Sequence, residues 1–178
     1  MIKQTSARKQ DELTGDWAAA EGLLEDWKRR ARESQFCHYE AAKYFSRLNY
    51  VLGIPVVILT SLVGTTVYAT LQKSVAVPLQ IGVGAISMLA AILAGLQTFL
   101  RFGERAEKHR TLGAQYGTIR RQLEVNRVLS AERRGAIEDF LKSLRETLDA
   151  LAQSAPDVPP RIWKRAEYKF RLENEGRP

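Results

Sequence analysis

Between Arg47 and Arg101 the chain carries one charged residue, Lys73. Lys73 separates two uncharged runs, Leu48–Gln72 with 25 residues and Ser74–Leu100 with 27. A bilayer core of about 30 Å needs about 20 helical residues at 1.5 Å each, and both runs exceed that. A soluble helix of this length shows polar residues at 3.6 spacing on its outer face. Here the polar residues are mostly small hydroxyls, Thr60, Ser61, Thr65, Thr66 and Ser87, which can bond their own helix backbone. Gly53, Pro55 and Gly64 in the first run, and the glycines of the second, suit membrane helices. Tyr50, Tyr68, Phe99 and Phe102 stand near the run ends, where aromatic belts fall. The reading is two transmembrane helices. The competing reading is a buried apolar hairpin of a soluble bundle, including one that inserts only when triggered.

The flanks set the topology. Residues 28–47 hold Lys28, Arg29, Arg30, Arg32, Lys43 and Arg47, and residues 101–121 hold Arg101, Arg105, Lys108, Arg110, Arg120 and Arg121. The connector has only Lys73. The excess of basic residues on both outer flanks predicts cytoplasmic termini and a short outward loop near Lys73. The net charge of +7 comes from basics that mostly alternate with acids, so a solvated face is preferred and no nucleic-acid partner is expected. The single cysteine, Cys37, excludes an internal disulfide. The first 47 residues show no apolar segment with a cleavage site, so no secretory signal peptide is expected.

Outside the spans the pattern is helical. Trp17, Ala20, Leu24, Trp27, Ala31, Ala42 and Phe45 recur at mostly three and four, predicting a helix from Asp16 to Arg47, capped by Thr14 or Asp16, that runs into the first span. The second span is expected to continue through Arg101 without stopping. Its stripe is Phe102, Ala106, His109, Leu112 or Gly113, Tyr116, Ile119 and Leu123. Gly113 and Gly117 would let another helix approach closely. Ser130 reads as the N-cap of a further helix whose face is Ile137, Phe140, Leu141, Leu144, Leu148 and Leu151. The prolines of "SAPDVPP" end it, and "RIWKRAEYKFRL" reads as a short docked helix.

The expected fold is therefore all-α. It is an integral membrane protein in which a two-helix transmembrane hairpin carries long helices into a cytoplasmic helical bundle. One domain spans 1–178, with a cytoplasmic helix at 16–47, transmembrane helices at 48–72 and 75–100, cytoplasmic helices at 101–153 and a C-terminal arm at 154–178.

No catalytic constellation stands out, and neither a catalytic site, a metal nor a cofactor is expected. His38 adjoins Cys37, but helix neighbours point about 100° apart, so they do not share a metal. Packing or interhelical hydrogen bonding is preferred for His109. "GVGAIS" lacks the strand context and third glycine of a nucleotide fingerprint. No charge lies at mid-membrane, which argues against an ion-coupled transporter. Ser87, Ala91 and Gly95 form a ribbon of small residues at every fourth position, and Thr60 and Gly64 a shorter one. These ribbons suit contact either within the hairpin or between subunits. Thr60, Gly64, Thr65, Ser87, Ala91 and Gly95 are the candidates for packing or pore lining. Arg101, His109 and Tyr116 are the candidates for coupling the second span to the bundle.

The order of these pieces resembles the SLATT family, the two-transmembrane effector domains of bacterial conflict systems. The resemblance covers about residues 17–165. It rests on "GIP" opening the first span, "LQTFLRF" closing the second, and His109 with Tyr116 on the helix below. It implies an antiphage membrane effector that oligomerises with itself and forms a pore or disrupts the inner membrane when triggered. It also implies a nucleotide signal; this chain departs from fused versions in adding no sensor domain, so the trigger is either a separate nucleotide-generating or nucleotide-sensing protein or a ligand held by the cytoplasmic helices. The competing function is a non-conducting, membrane-anchored helical scaffold that recruits a partner protein.

Overall fold

In the computed structural model, the structure describes residues 2–70 and 76–175. The described residues are almost entirely helical and contain no strand. Among the described residues six helices follow in order: α1 Ile2–Thr70, α2 Val77–Leu100, α3 Phe102–Val128, α4 Ala131–Arg134, α5 Ile137–Ser154 and α6 Pro160–Glu175. The connector holding Lys73 lies outside the described residues, as does the side chain of Tyr68.

Helix α1 is one element of 69 residues. The expected cap at Thr14 or Asp16 is corrected by a helix that already begins at Ile2. The segment before Asp16 has no apolar stripe, but lysine, glutamine, glutamate and alanine propagate a helix on propensity alone. Pro55 lies inside α1, where it removes one backbone donor without ending the helix. Helix α2 opens on extended Ala76, with Pro78 in its first turn, where a missing N–H costs nothing.

The chain divides into two compact units, one built from Met1–Ala41 with Lys108–Pro178 and the other from Ala42–Glu107. In the first unit α3 lies antiparallel to α1, with α5 filling the same core. Ala31 of α1 meets Leu112, Tyr116, Ile119 and Leu123 of α3 and Leu144 and Leu151 of α5. The α3 stripe read from the periodicity is the buried face of that helix: Ala106, His109, Leu112, Tyr116, Ile119 and Leu123 are all buried. Helix α6 packs on the other side of α1, where Ala166 and Phe170 enclose Cys37. The Phe36 and Phe170 rings meet edge to face at 5.6 Å. Arg32 donates to Glu173 over 2.6 Å, and its guanidinium lies over Phe170.

Ser130 stands at a helix N-cap position, but of a four-residue helix, without a side-chain cap bond. The single helix expected from Ser130 onward is broken at Gly135, whose φ of 75° favours glycine. Trp17 fixes the break, since its indole N–H donates to the Gly135 carbonyl over 3.3 Å. Arg134 stacks over Trp17 and donates to the carbonyls of Arg127 and Leu129, which satisfies the end of α3.

In the second unit the second half of α1 faces α2 and the start of α3. Phe45 and Phe102 stack with centroids 6.1 Å apart, and Ala90 is buried. Gly53 admits the Gln97 side chain, whose Nε2 would lie 3.0 Å from a Cβ built there. The expectation of an unbroken helix through Arg101 is corrected. Arg101 adopts left-handed φ 48° and ψ 41° and separates α2 from α3. Its N–H bonds the Gln97 carbonyl and its carbonyl accepts from Arg105, so a one-residue bend replaces a stop. A non-glycine residue in this conformation costs roughly 1–2 kcal/mol.

Candidate functional site

The most enclosed polar group is a pair that the periodicity brings together from distant sequence. His109 is 1% exposed on the α3 stripe, and His38 is 4% exposed on α1. Their Nδ1 atoms lie 2.9 Å apart. A nitrogen–nitrogen contact of this length holds one proton, so one ring donates and the other accepts. Tyr116, two turns along α3 from His109, stacks on His38 with rings 11° from parallel and centroids 5.6 Å apart.

Burial governs the titration of this cluster. Desolvation, with the neighbouring His109 second, lowers His38 to about 4. Desolvation also lowers His109. Tyr116 is raised by burial, partly offset by a hydrogen bond with Ser34. The Cys37 thiol is pushed up to about 11 by burial and then by Glu33, so it is a poor nucleophile at neutral pH. Among the described residues no three His, Cys, Asp or Glu side chains gather closely enough to hold a metal ion. The pair is therefore a neutral, shared-proton clamp between α1 and α3.

Of the residues named for coupling, the structure brings His109 and Tyr116 into one cluster, and Arg101 stands apart at the α2–α3 bend. His38 was missed as a partner. Its signal was the gap in the α1 stripe between Ala31 and Ala42, where Gln35 and His38 continue the same helical spacing. Gly113 and Gly117 do give close approach. A Cβ at Gly113 would lie 3.1 Å from the Tyr39 ring, and one at Gly117 2.7 Å from Gln35 Nε2.

The residues named for packing or pore lining have a different environment. Thr60, Gly64, Thr65, Ala91 and Gly95 are exposed, and Ser87 is half-buried. Thr60 donates to the carbonyls of Val56 and Val57, Thr65 to those of Ser61 and Leu62, and Ser87 to that of Val83. A Cβ built at Gly64 or Gly95 meets nothing within 4 Å. At these two glycines the ribbons do not pack within the hairpin. Gly53 and Ala90 serve that contact instead.

Two helices are long and apolar enough to cross a membrane, and almost none of their most apolar stretches is buried within the chain. Val57, Ile58, Ile81, Met88, Ile92 and Phe99 are each more than half exposed. A core helix of a soluble bundle would bury such residues. In the first unit, an open groove of about 620 Å³ runs between α1 and α6, lined by Arg29, Glu33, Trp163, Glu167, Phe170 and Arg171 among others. Its lining carries both charge signs. Compared with known proteins, no family model matches this chain, and neither a curated protein nor a solved structure is significantly similar to it.

Proposed function

We propose that this chain is a homo-oligomeric membrane effector. The apolar stretches of α1 and α2 cross the bacterial inner membrane with both termini cytoplasmic. Copies associate through the faces carrying Thr60, Gly64, Thr65, Ser87, Ala91 and Gly95. A nucleotide signal, relayed by a separate partner protein, triggers the assembly to open a pore or disrupt the membrane in antiphage defence. The observation that carries the reading is that Gly64 and Gly95 are open while Gly53 is filled by Gln97. Glycine at an open apolar face permits close helix approach, and in lipid such approach is a principal source of association. Arg101, His109 and Tyr116 lie on the chain path from the second span into the bundle.

The test is expression of Gly64→Leu and Gly95→Leu variants in bacteria. Both should lose toxicity while membrane levels stay at wild type. The Ile58→Leu variant, at an exposed site that is already bulky, should remain toxic. If bulky residues at both glycines leave permeabilisation intact, the packing proposal is wrong. A protein that stays in the membrane and passes no ions under any trigger is the scaffold.

A further inference from the structure

Two unlike surfaces lie side by side on helix α6. At 100° per residue, Arg161, Lys164, Arg165, Tyr168 and Leu172 fall within one sector of about 100°, turned away from the buried Ala166 and Phe170. All five are exposed, and Tyr168 and Leu172 stand among the cations as uncovered apolar side chains. The adjoining sector carries Trp163, Glu167 and Arg171, which line the groove of about 620 Å³ together with Arg29 and Glu33 of α1. The groove floor is apolar, since Ala166 and Phe170 are buried there, and Trp163 at one end is 46% exposed. In the lining Glu33, Glu167 and Glu175 outnumber Arg29 and Arg171. Both arginines are already engaged: Arg29 lies 3.1 Å from Glu33 and 3.5 Å from Asp26, and Arg171 lies 3.8 Å from Glu175.

Each surface supplies what the other lacks. The basic sector offers apolar knobs flanked by cations. The groove offers an apolar floor, an acidic rim and an uncovered indole. Exposed aromatic and apolar groups set among charges mark contact sites, and an indole face attracts a cation. Brought together, Tyr168 and Leu172 cover Phe170 and Trp163, while Lys164 and Arg165 meet Glu167. Both surfaces belong to one rigid helix, so a chain cannot place its own basic sector in its own groove. The occupant is a second copy. A two-fold pairing of basic sectors would set Lys164 and Arg165 against themselves, so the contact joins unlike patches. The patches are centred roughly 110° apart around α6, so each copy is turned relative to the last and a row of copies curves toward a ring. The exposed face of α5, with Glu138, Asp139, Lys142, Arg145, Glu146 and Asp149, has mixed sign and offers no such match.

We infer that the groove between α1 and α6 receives the basic sector of α6 from a second copy of this chain, in a head-to-tail contact that builds a closed assembly. This inference deepens the homo-oligomeric reading and rests on it, but it uses no residue of the apolar stretches. Tyr168 and Leu172 are the knobs, Trp163 and Phe170 receive them, and Glu167 faces Lys164 and Arg165 of the neighbour.

The test is site-directed cross-linking of the full chain in detergent. One tagged copy carries Tyr168→Cys and a second carries Glu33→Cys; native Cys37 is fully buried. A short bis-maleimide should join the two copies and neither copy to itself, and a chain carrying both cysteines should give a ladder beyond the dimer. In that chain, Lys164→Glu/Arg165→Glu reverses the sector and Glu167→Lys/Glu175→Lys reverses the groove. All four positions are exposed, so the core is untouched. Either reversal alone should reduce the ladder about tenfold, because like charges then face each other. Co-expressing the two reversed chains should restore it, since every junction again pairs opposite signs, and the restoration shows that both are folded. Tyr168→Cys cross-linked to itself, a ladder unmoved by either reversal, or reversed chains that stay apart when co-expressed overturns the proposal. So does protection of Tyr168→Cys by RNA or anionic lipid with no cross-link to a neighbour. The ladder should persist in Gly64→Leu/Gly95→Leu protein. A chain that gives the ladder but passes no ions sinks the pore reading and supports this contact, whereas flux without any ladder sinks this contact alone.

Discussion

His38 and His109 stand 71 residues apart and share one proton across 2.9 Å in the interior of the α1–α3 contact. Burial keeps both rings neutral. The pair therefore ties folding to pH with a definite sign. Each folded value lies below the ordinary 6.5, so the unfolded chain binds more protons as pH falls. Stability from the pair is fully present above about 6.5 and is lost as pH falls toward the His38 value of about 4. The loss is on the order of 3 kcal/mol. Chemical denaturation at a series of pH values in detergent should show it, and a His38→Phe/His109→Phe double variant should flatten the slope between pH 6.5 and 4.

The bend at Arg101 makes a prediction of opposite sign for two substitutions. Arg101→Gly relieves a left-handed residue and should stabilise the protein by about 1 kcal/mol, because the exposed ion pair with Glu104 contributes little. Arg101→Val should destabilise it, since a β-branched residue is poorly accommodated there. Thermal unfolding in one detergent compares both with wild type.

Glycine substitutions should separate the two units. Gly113→Leu drives a side chain into the Tyr39 ring and should cost about 1–3 kcal/mol. Gly64→Leu and Gly95→Leu meet open space and should leave the stability of the single chain unchanged within about 0.5 kcal/mol. Unfolding midpoints at low protein-to-detergent ratio read both.

Much of this was legible in the sequence, for a physical reason. A face that repeats every 3.6 residues is a local property, so the α3 stripe from Ala106 to Leu123 and the α5 face could be read without knowing their partners. The histidine pair could not, because it depends on the register of α1 against α3, and local reading set His38 beside Cys37. Nor was the bend at Arg101 legible, since neither proline nor glycine occupies it. Gly135 was visible but sat inside an apolar period strong enough to read as continuous. The open side of Gly64 and Gly95 needed the hairpin register, in which Gly53 meets Gln97.

Trp17 tests how α5 is held. Trp17→Phe keeps an aromatic ring against Phe140, whose centroid is 5.6 Å away, but removes the bond to the Gly135 carbonyl. The expected loss is about 1 kcal/mol, read as a shift in the denaturation midpoint without a change in slope.

The most direct measurement is ion flux from liposomes carrying the purified chain, with and without the proposed nucleotide signal. A pore assembled from several copies gives flux that rises with protein density and that disappears in Gly95→Leu protein inserted to the same level. Flux absent from wild type under every condition, or undiminished in Gly95→Leu, would contradict it.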